Sequence, residues 1–182
     1  MVIPMRDNLS EAEFLAFESG AVGRHEFYGG RIVAMTGASK EHNEIAINVV
    51  FALRELAKLG GCRTFMEGVR LRIDEFTHVY PDVMVVCDED RSDTHEVRRP
   101  CFVAEVLSPS TTWVDHGTKR AAYLGMESLR HYLLINPVHK VIEHYERADA
   151  TCAWTSSIVD VTATIALRCP AGPLVVADLF ST

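Results

Sequence analysis

The stretch FVAEVLSPSTTWVDHGTK, Phe102 to Lys119, decides how the chain reads. It opens as an apolar strand, yet one carboxylate, Glu105, stands in its middle. A Ser108-Pro109-Ser110-Thr111 break follows, in which Pro109 ends the strand and turns the chain. Beyond it, Asp115 and Lys119 are four residues apart and share one face of the helix expected over about 115–127, with Tyr123 continuing that face. A carboxylate in a dry strand is costly unless a cation, a hydrogen-bond network or a proton compensates it.

A second such residue, Asp82, stands in YPDVMVVCD, another nearly continuous apolar run. Both runs suit central strands covered on both faces. Taken singly, Asp82 or Glu105 reads better as an exposed strand end or an arginine's partner. An exposed Asp–Lys helix pair is likewise commonplace and worth only ~0.3–0.5 kcal/mol. Together they point further. Two carboxylates on neighbouring central strands can converge on a divalent cation, and oxygen donors suit Mg2+ or Mn2+.

Outward from this stretch, Ser10-Glu11-Ala12-Glu13 matches a capping box and predicts a helix over 11–19 that stops at Gly20. RHEFYGGRIVAM reads as a hairpin around Gly29-Gly30. Ile45, Val49, Ala52, Leu53 and Leu56 recur at helical spacing, predicting a helix over 40–59 that Gly60-Gly61 terminates. VRLRID alternates as a half-exposed strand does, and EDRSDTHEVRR is a polar loop. Further strands are expected near 131–136 and 140–147. More β structure is expected over 152–182, with 158–167 and 174–179 as strands or strand–helix edges. With no repeat or linker, residues 1–182 read as one domain of α/β class, a mixed α+β sheet.

Composition narrows the function classes. At 48% apolar and 24% charged the chain is an ordinary globular one, long enough for a sizeable core. No apolar run approaches the ~20 residues of a membrane span, and the N-terminus lacks a signal-type apolar segment, so a cytoplasmic location is expected. The five cysteines form no C-x-x-C pair and the eight histidines no H-x-x-H or H-E-x-x-H cluster. The cysteines therefore read as small buried hydrophobes, and a structural zinc site is not expected. The net charge of −7 works against non-specific nucleic-acid binding. Residues 54–72, with five Arg or Lys against two Glu, leave room for a local basic face.

YPDVMVV, then PCFVAEVLSPSTTWVDHGTKRAAYLGM, then HYLLINP, together resemble the PD-(D/E)XK superfamily, the restriction-endonuclease-like nucleases. Within it the match is to the bacterial Uma-type family of restriction endonucleases, over about Glu26 to Tyr145. The resemblance implies a restriction-endonuclease-like fold, a central mixed sheet flanked by helices. It implies a Mg2+- or Mn2+-dependent endonuclease that hydrolyses phosphodiester bonds, with DNA as substrate. Pro81-Asp82 resembles the PD element and Glu105 the acidic residue of the (D/E)XK element. Both would bind the metal, together with the backbone carbonyl of Val106. The sequence departs from the pattern at the lysine of that element, where Leu107 stands. Lys119, on the following helix, would take over its role, since a flexible ammonium can reach back.

Asp115 could hold Lys119 or join the acidic cluster. Glu26 and His42 fall where the family carries an acidic residue and a helical histidine. Glu26 would complete the cluster or brace the hairpin, and His42 reads more readily as a capping or surface residue. Ser108 and Ser110 lack the G-x-S-x-G context of a serine nucleophile. Two rival readings stand beside the nuclease. One is a nucleic-acid-binding module of the same fold with weak or no catalysis. The other is a metal-dependent hydrolase of a small phosphorylated substrate. A homodimer is expected, since cutting two strands is often shared by two subunits.

Overall fold

The computed structural model describes residues 4–6, 8–35, 37–88, 94–108 and 115–181; the side chains of 4–6, 115 and 116 fall outside it. Helix α1 (Glu11–Gly20) begins with the expected capping box: the Ser10 amide donates to Glu13 Oε2 at 2.9 Å, and the Glu13 amide donates back to Ser10 Oγ at 3.3 Å. Strand β1 (Pro4–Arg6) joins β3 (Arg31–Ala34), which pairs with β2 (His25–Tyr28) through a two-residue turn. Gly29 and Gly30 there have φ of 55° and 88°, the left-handed pair that a twisted hairpin requires. The long helix α2 (Lys40–Leu59) starts at Ser39, whose hydroxyl accepts the His42 amide, and ends at Gly60. Its buried face carries Ile45, Ala46, Val49, Leu53 and Ala57, at the spacing expected.

The remaining elements are β4 (Arg63–Met66), β5 (Arg70–Asp74), β6 (Thr77–Val79), β7 (Val83–Val86), β8 (Glu96–Val97), β9 (Pro100–Val106), α3 (Arg120–Gly125), β10 (His131–Asn136), β11 (Val141–Glu146), β12 (Thr155–Asp160), β13 (Thr164–Arg168), β14 (Ala171–Val175) and α4 (Val176–Leu179). One six-stranded sheet runs β12-β11-β10-β9-β7-β4 and is mixed: β9 and β10 are parallel, and every other neighbouring pair is antiparallel. A second six-stranded sheet runs β1-β3-β2-β6-β5-β8, and β13 and β14 form a separate hairpin. The mixed α+β class is as expected. The expected central sheet is the first of these, with α2 packed on one face and α3 on the other.

Alternation along β9 explains its unbroken apolar reading. Phe102, Ala104 and Val106 pack with Ile45, Val49 and Leu53 of α2 and with Leu174 and Leu179. Val103 and Leu107 face the other way, into a cluster with Leu71, Val79, Tyr123 and Tyr132. All seven residues of β9 are buried, Glu105 included.

The structure departs from sequence expectation in several places, and Glu96 and Val97, within the stretch read as a polar loop, form β8 and are buried. Instead of one helix over 115–127, a π-helical segment (Asp115–Lys119) leads into the short α3. The chain leaves the helix there because the Trp154 indole takes the Leu124 carbonyl and the Arg147 guanidinium takes that of Met126. The possible basic face over 54–72 is partly neutralised, since Arg70 pairs with Glu96 and Arg72 with Glu11. Four of the five cysteines are not isolated small hydrophobes but are drawn together as the disulfides Cys62–Cys87 and Cys101–Cys169. The 158–167 region is two strands, β12 and β13, and 174–179 is the end of β14 running into α4. The Ser-Pro-Ser-Thr turn beyond Ser108 lies outside the described residues.

Candidate active site

The register of β7 on β9 places Val83 opposite Ala104, so Asp82, immediately before β7, comes level with Glu105. The Val106 amide donates to Asp82 Oδ2 at 2.7 Å, and the Asp82 amide points at Glu105 Oε2 at 3.4 Å. Each acid is thus braced by the other's strand, and both are buried. Two backbone amides directed at carboxylates lower the cost of placing them there.

Glu105 lies on the face of β9 that looks toward α3 and the second sheet. The Tyr123 hydroxyl, from α3, donates to its Oε1 at 2.6 Å. The Lys119 ammonium, at the end of the π-helical segment, lies 3.2 Å from the same oxygen and 2.9 Å from Oε1 of Glu26. Glu26 comes from β2 in the second sheet. It is held by the Tyr28 hydroxyl at 2.7 Å and the Tyr80 amide at 3.2 Å. Lys119 therefore joins the two sheets through two carboxylates. Burial disfavours its charge, but Glu105 and Glu26 outweigh this and hold its pKa well above the ordinary lysine value. Burial and the Glu105 charge likewise hold the Tyr123 phenol well above its usual value, so it remains a donor.

Leu107, which stands where a lysine would be usual, is buried in the apolar cluster with Leu71, Val79 and Tyr123. That position faces a core, so the ammonium beside Glu105 comes from Lys119 instead.

His42, read as a cap or surface residue, has its backbone amide capped by Ser39, while its side chain turns inward. Its Nε2 lies 3.0 Å from Asp82 Oδ2 and the residue is buried. Burial pushes its pKa down, but the hydrogen bond and charge of Asp82, with the charge of Glu67, bring the net value above that of an ordinary histidine. Glu67 is the residue that sequence reasoning missed. It follows β4 in a left-handed conformation (φ 34°), with its amide 3.3 Å from the Asp82 carbonyl. No pattern in MEGVR marks it; only the pairing of Met66 with Val83 brings it beside Asp82.

His42, Glu67 and Asp82 each offer a ligand atom, and these atoms lie within 4.8 Å of one another. Glu26, His42, Glu67, Asp82, Glu105 and Lys119 line a cleft of about 650 Å³, with Arg24, Tyr80, Val106 and Ser108 also on its wall. In ionised form, the four carboxylates face the Lys119 ammonium, the Arg24 guanidinium and one imidazolium, which leaves an excess of negative charge. That excess, on hard oxygen donors, suits a divalent cation such as Mg2+ or Mn2+. His42 Nδ1 is buried and makes no hydrogen bond among the described residues, so the imidazole has a nitrogen still to be satisfied. The Asp115 side chain lies outside the described residues.

Two uncharacterized proteins of Synechocystis sp. are similar to this chain. One is 34% identical over 143 residues, 78% of this chain and 75% of that protein. The other is 34% identical over 151 residues, 81% of this chain and 85% of that protein. A crystal structure described as "a putative nuclease belonging to DUF820", from Anabaena variabilis, has the same fold, with a TM-score of 0.76 over 94% of this chain and 97% of that one at 19% identity. The model of one family, described as "Putative restriction endonuclease", matches residues 11–171, and the chain belongs to that family, Uma2.

Proposed function

We propose that this chain is a Mg2+- or Mn2+-dependent endonuclease that hydrolyses phosphodiester bonds in DNA. Membership of the Uma2 family supports the nuclease class. The observation that carries the finer reading is the meeting of Asp82, Glu105 and Lys119 in one buried cleft, although they lie on different elements. Asp82 and Glu105, with the Val106 carbonyl, would hold the cation, and His42 and Glu67 stand close enough to complete or orient its surroundings. A bound divalent cation supplies Lewis-acid polarisation of a phosphoryl oxygen and a lower pKa for coordinated water.

The chain's own residues do the rest. Lys119 remains an ammonium, so it acts as a cation and a donor rather than as a base. It orients the attacking water and offsets the charge that develops on the phosphate. Glu26 and Tyr123 act through others: Glu26 holds Lys119 in place and Tyr123 fixes the Glu105 carboxylate. Asp115 adds a further acid four residues before Lys119, to hold it or to join the cluster. A homodimer would bring two such clefts to the two strands of a duplex. No helix among the described residues is long and apolar enough to cross a membrane.

The test is cleavage of supercoiled plasmid by the purified chain with Mg2+ or Mn2+, using Asp82→Ala as the blank. Metal-dependent nicking that Asp82→Ala lacks is expected. Equal activity of the two proteins, or none with either metal, contradicts the reading. Parallel assays on RNA and on a small phosphodiester would move the assignment to those substrates if they alone were turned over.

A further inference from the structure

The cysteines carry an inference independent of the cleft. Cys62, Cys87, Cys101 and Cys169 come from four places in the chain and meet at one end of the first sheet. Cys62 follows the Gly60-Gly61 turn after α2, and Cys87 follows β7. Pairing of Arg63 with Val86 sets these two side by side. Cys101 lies in β9 where the ladder slips: Val85 faces Phe102 but Val86 faces Pro100, which leaves Cys101 as the extra residue of a β-bulge. Bulges re-aim side chains, and this one sets Cys101 among the α2-side core residues. Cys169 stands in the turn between β13 and β14 and bonds to Cys101 across 68 residues of chain.

The sulfurs of Cys62, Cys87 and Cys169 lie within 4.8 Å of one another, and Cys101 adjoins them through its bond to Cys169. Cys87 Sγ lies 3.2 Å from Cys169 Sγ and 3.6 Å from Cys101 Sγ, in addition to its bond to Cys62. Thiolates about 2.3 Å from a tetrahedral zinc ion lie about 3.8 Å from one another. The two contacts that Cys87 makes with the other pair are already close to that spacing, and reduction of the disulfides frees Cys101 to close on Cys62. Four thiolates on a mononuclear ion fit so tight a group; an iron–sulfur cube, with each thiolate on a separate iron, would hold them much further apart. Cys101 is buried, Cys62 and Cys169 are half-buried and Cys87 is exposed, which supplies an entry path for the ion.

We infer that in the reduced chain Cys62, Cys87, Cys101 and Cys169 form a tetrathiolate zinc site that ties the end of α2, strands β7 and β9 and the β13–β14 hairpin together. The disulfide form reaches this state by accepting four electrons and four protons from a thiol or phosphine reductant. Binding then exchanges the four thiol protons for Zn2+, with no change in oxidation state. Sequence reading set this site aside because the ligands are spaced 25, 14 and 68 residues apart, and no short motif spans them.

The experiment uses the full chain purified with a phosphine reductant, loaded with zinc or cobalt alone and desalted. One zinc per chain is expected by elemental analysis. With Co2+, the sulfur-to-cobalt charge-transfer band and the visible bands of tetrahedral cobalt are expected. Both should survive Cys152→Ser, which alters the exposed fifth cysteine, and Asp82→Ala, which alters the carboxylate cleft. Both should be lost in Cys101→Ser and in Cys87→Ser; the second lies at the exposed corner and is less liable to disturb folding. Thiol labelling of the reduced chain should slow at least tenfold when zinc is present. Absence of the charge-transfer band from the wild-type chain, zinc retained equally by both cysteine variants, or labelling rates unchanged by zinc would overturn the inference.

Discussion

The Lys119 ammonium lies 3.2 Å from Oε1 of Glu105, in an interior that leaves neither residue more than 5% exposed. That oxygen also accepts the Tyr123 hydroxyl, and the ammonium also meets Glu26. Lys119 is therefore the centre of a buried network, and its replacement should be felt in both stability and catalysis. Lys119→Met leaves two buried carboxylates without their cation, which costs about 3–5 kcal/mol. Urea unfolding should show that loss, and plasmid cleavage should fall about 10²-fold or more under conditions where the variant remains folded. Lys119→Arg should not restore activity, because a planar guanidinium cannot place its charge where the compact ammonium sits.

Tyr123→Phe isolates one hydrogen bond. Without the 2.6 Å contact to Glu105, the carboxylate keeps its charge but loses part of its orientation. Mn2+ affinity measured by titration should fall about tenfold, with a stability cost of about 1 kcal/mol. An affinity equal to the wild type would detach Tyr123 from the site.

Glu67 and His42 make a paired prediction. If both serve the cation beside Asp82, Glu67→Gln and His42→Gln each weaken Mn2+ binding about tenfold while leaving the fold intact. Unchanged Mn2+ titrations in both variants would reduce the pair to charge partners of Asp82.

Away from the cleft, His131 and His144 predict an acid limit to stability. His131 is fully buried; its Nε2 accepts the Arg168 amide at 2.8 Å, so its proton is on Nδ1 and is donated to His144 Nε2 at 3.0 Å. Burial first, then the charges of His144 and Arg168, push its pKa from 6.5 down to about 3. Burial also lowers that of His144. The unfolded chain takes up these protons near pH 6.5 and the folded chain does not until far lower, so stability falls as the pH drops below that value. The slope due to His131 is about 1.4 kcal/mol per pH unit. Urea midpoints between pH 7 and 5 should show it, and His131→Asn should flatten it by one proton.

Much of the fold was legible because its signals are local. Ser10 and Glu13 are three residues apart, Gly29 and Gly30 adjoin, and Ile45, Val49 and Leu53 repeat on one helical face. Asp82 and Glu105 were also legible, since a charge inside an apolar run stands out without any alignment. The rest depends on pairing between distant segments. Glu67 joins the cleft through the register of β4 on β7, and the cysteines meet through a bulge. The π-helical segment before α3 has no periodic signature. Lys119 was legible as a candidate, but only the fold shows what its ammonium touches.

The central claim is that Asp82 and Glu105 hold a divalent cation beside Lys119. A crystal of the wild-type chain soaked in millimolar Mn2+ and measured at the manganese absorption edge tests it most directly. The account predicts an anomalous peak in contact with both carboxylates and absent from Asp82→Ala. No peak between Asp82 and Glu105 at that concentration would contradict it.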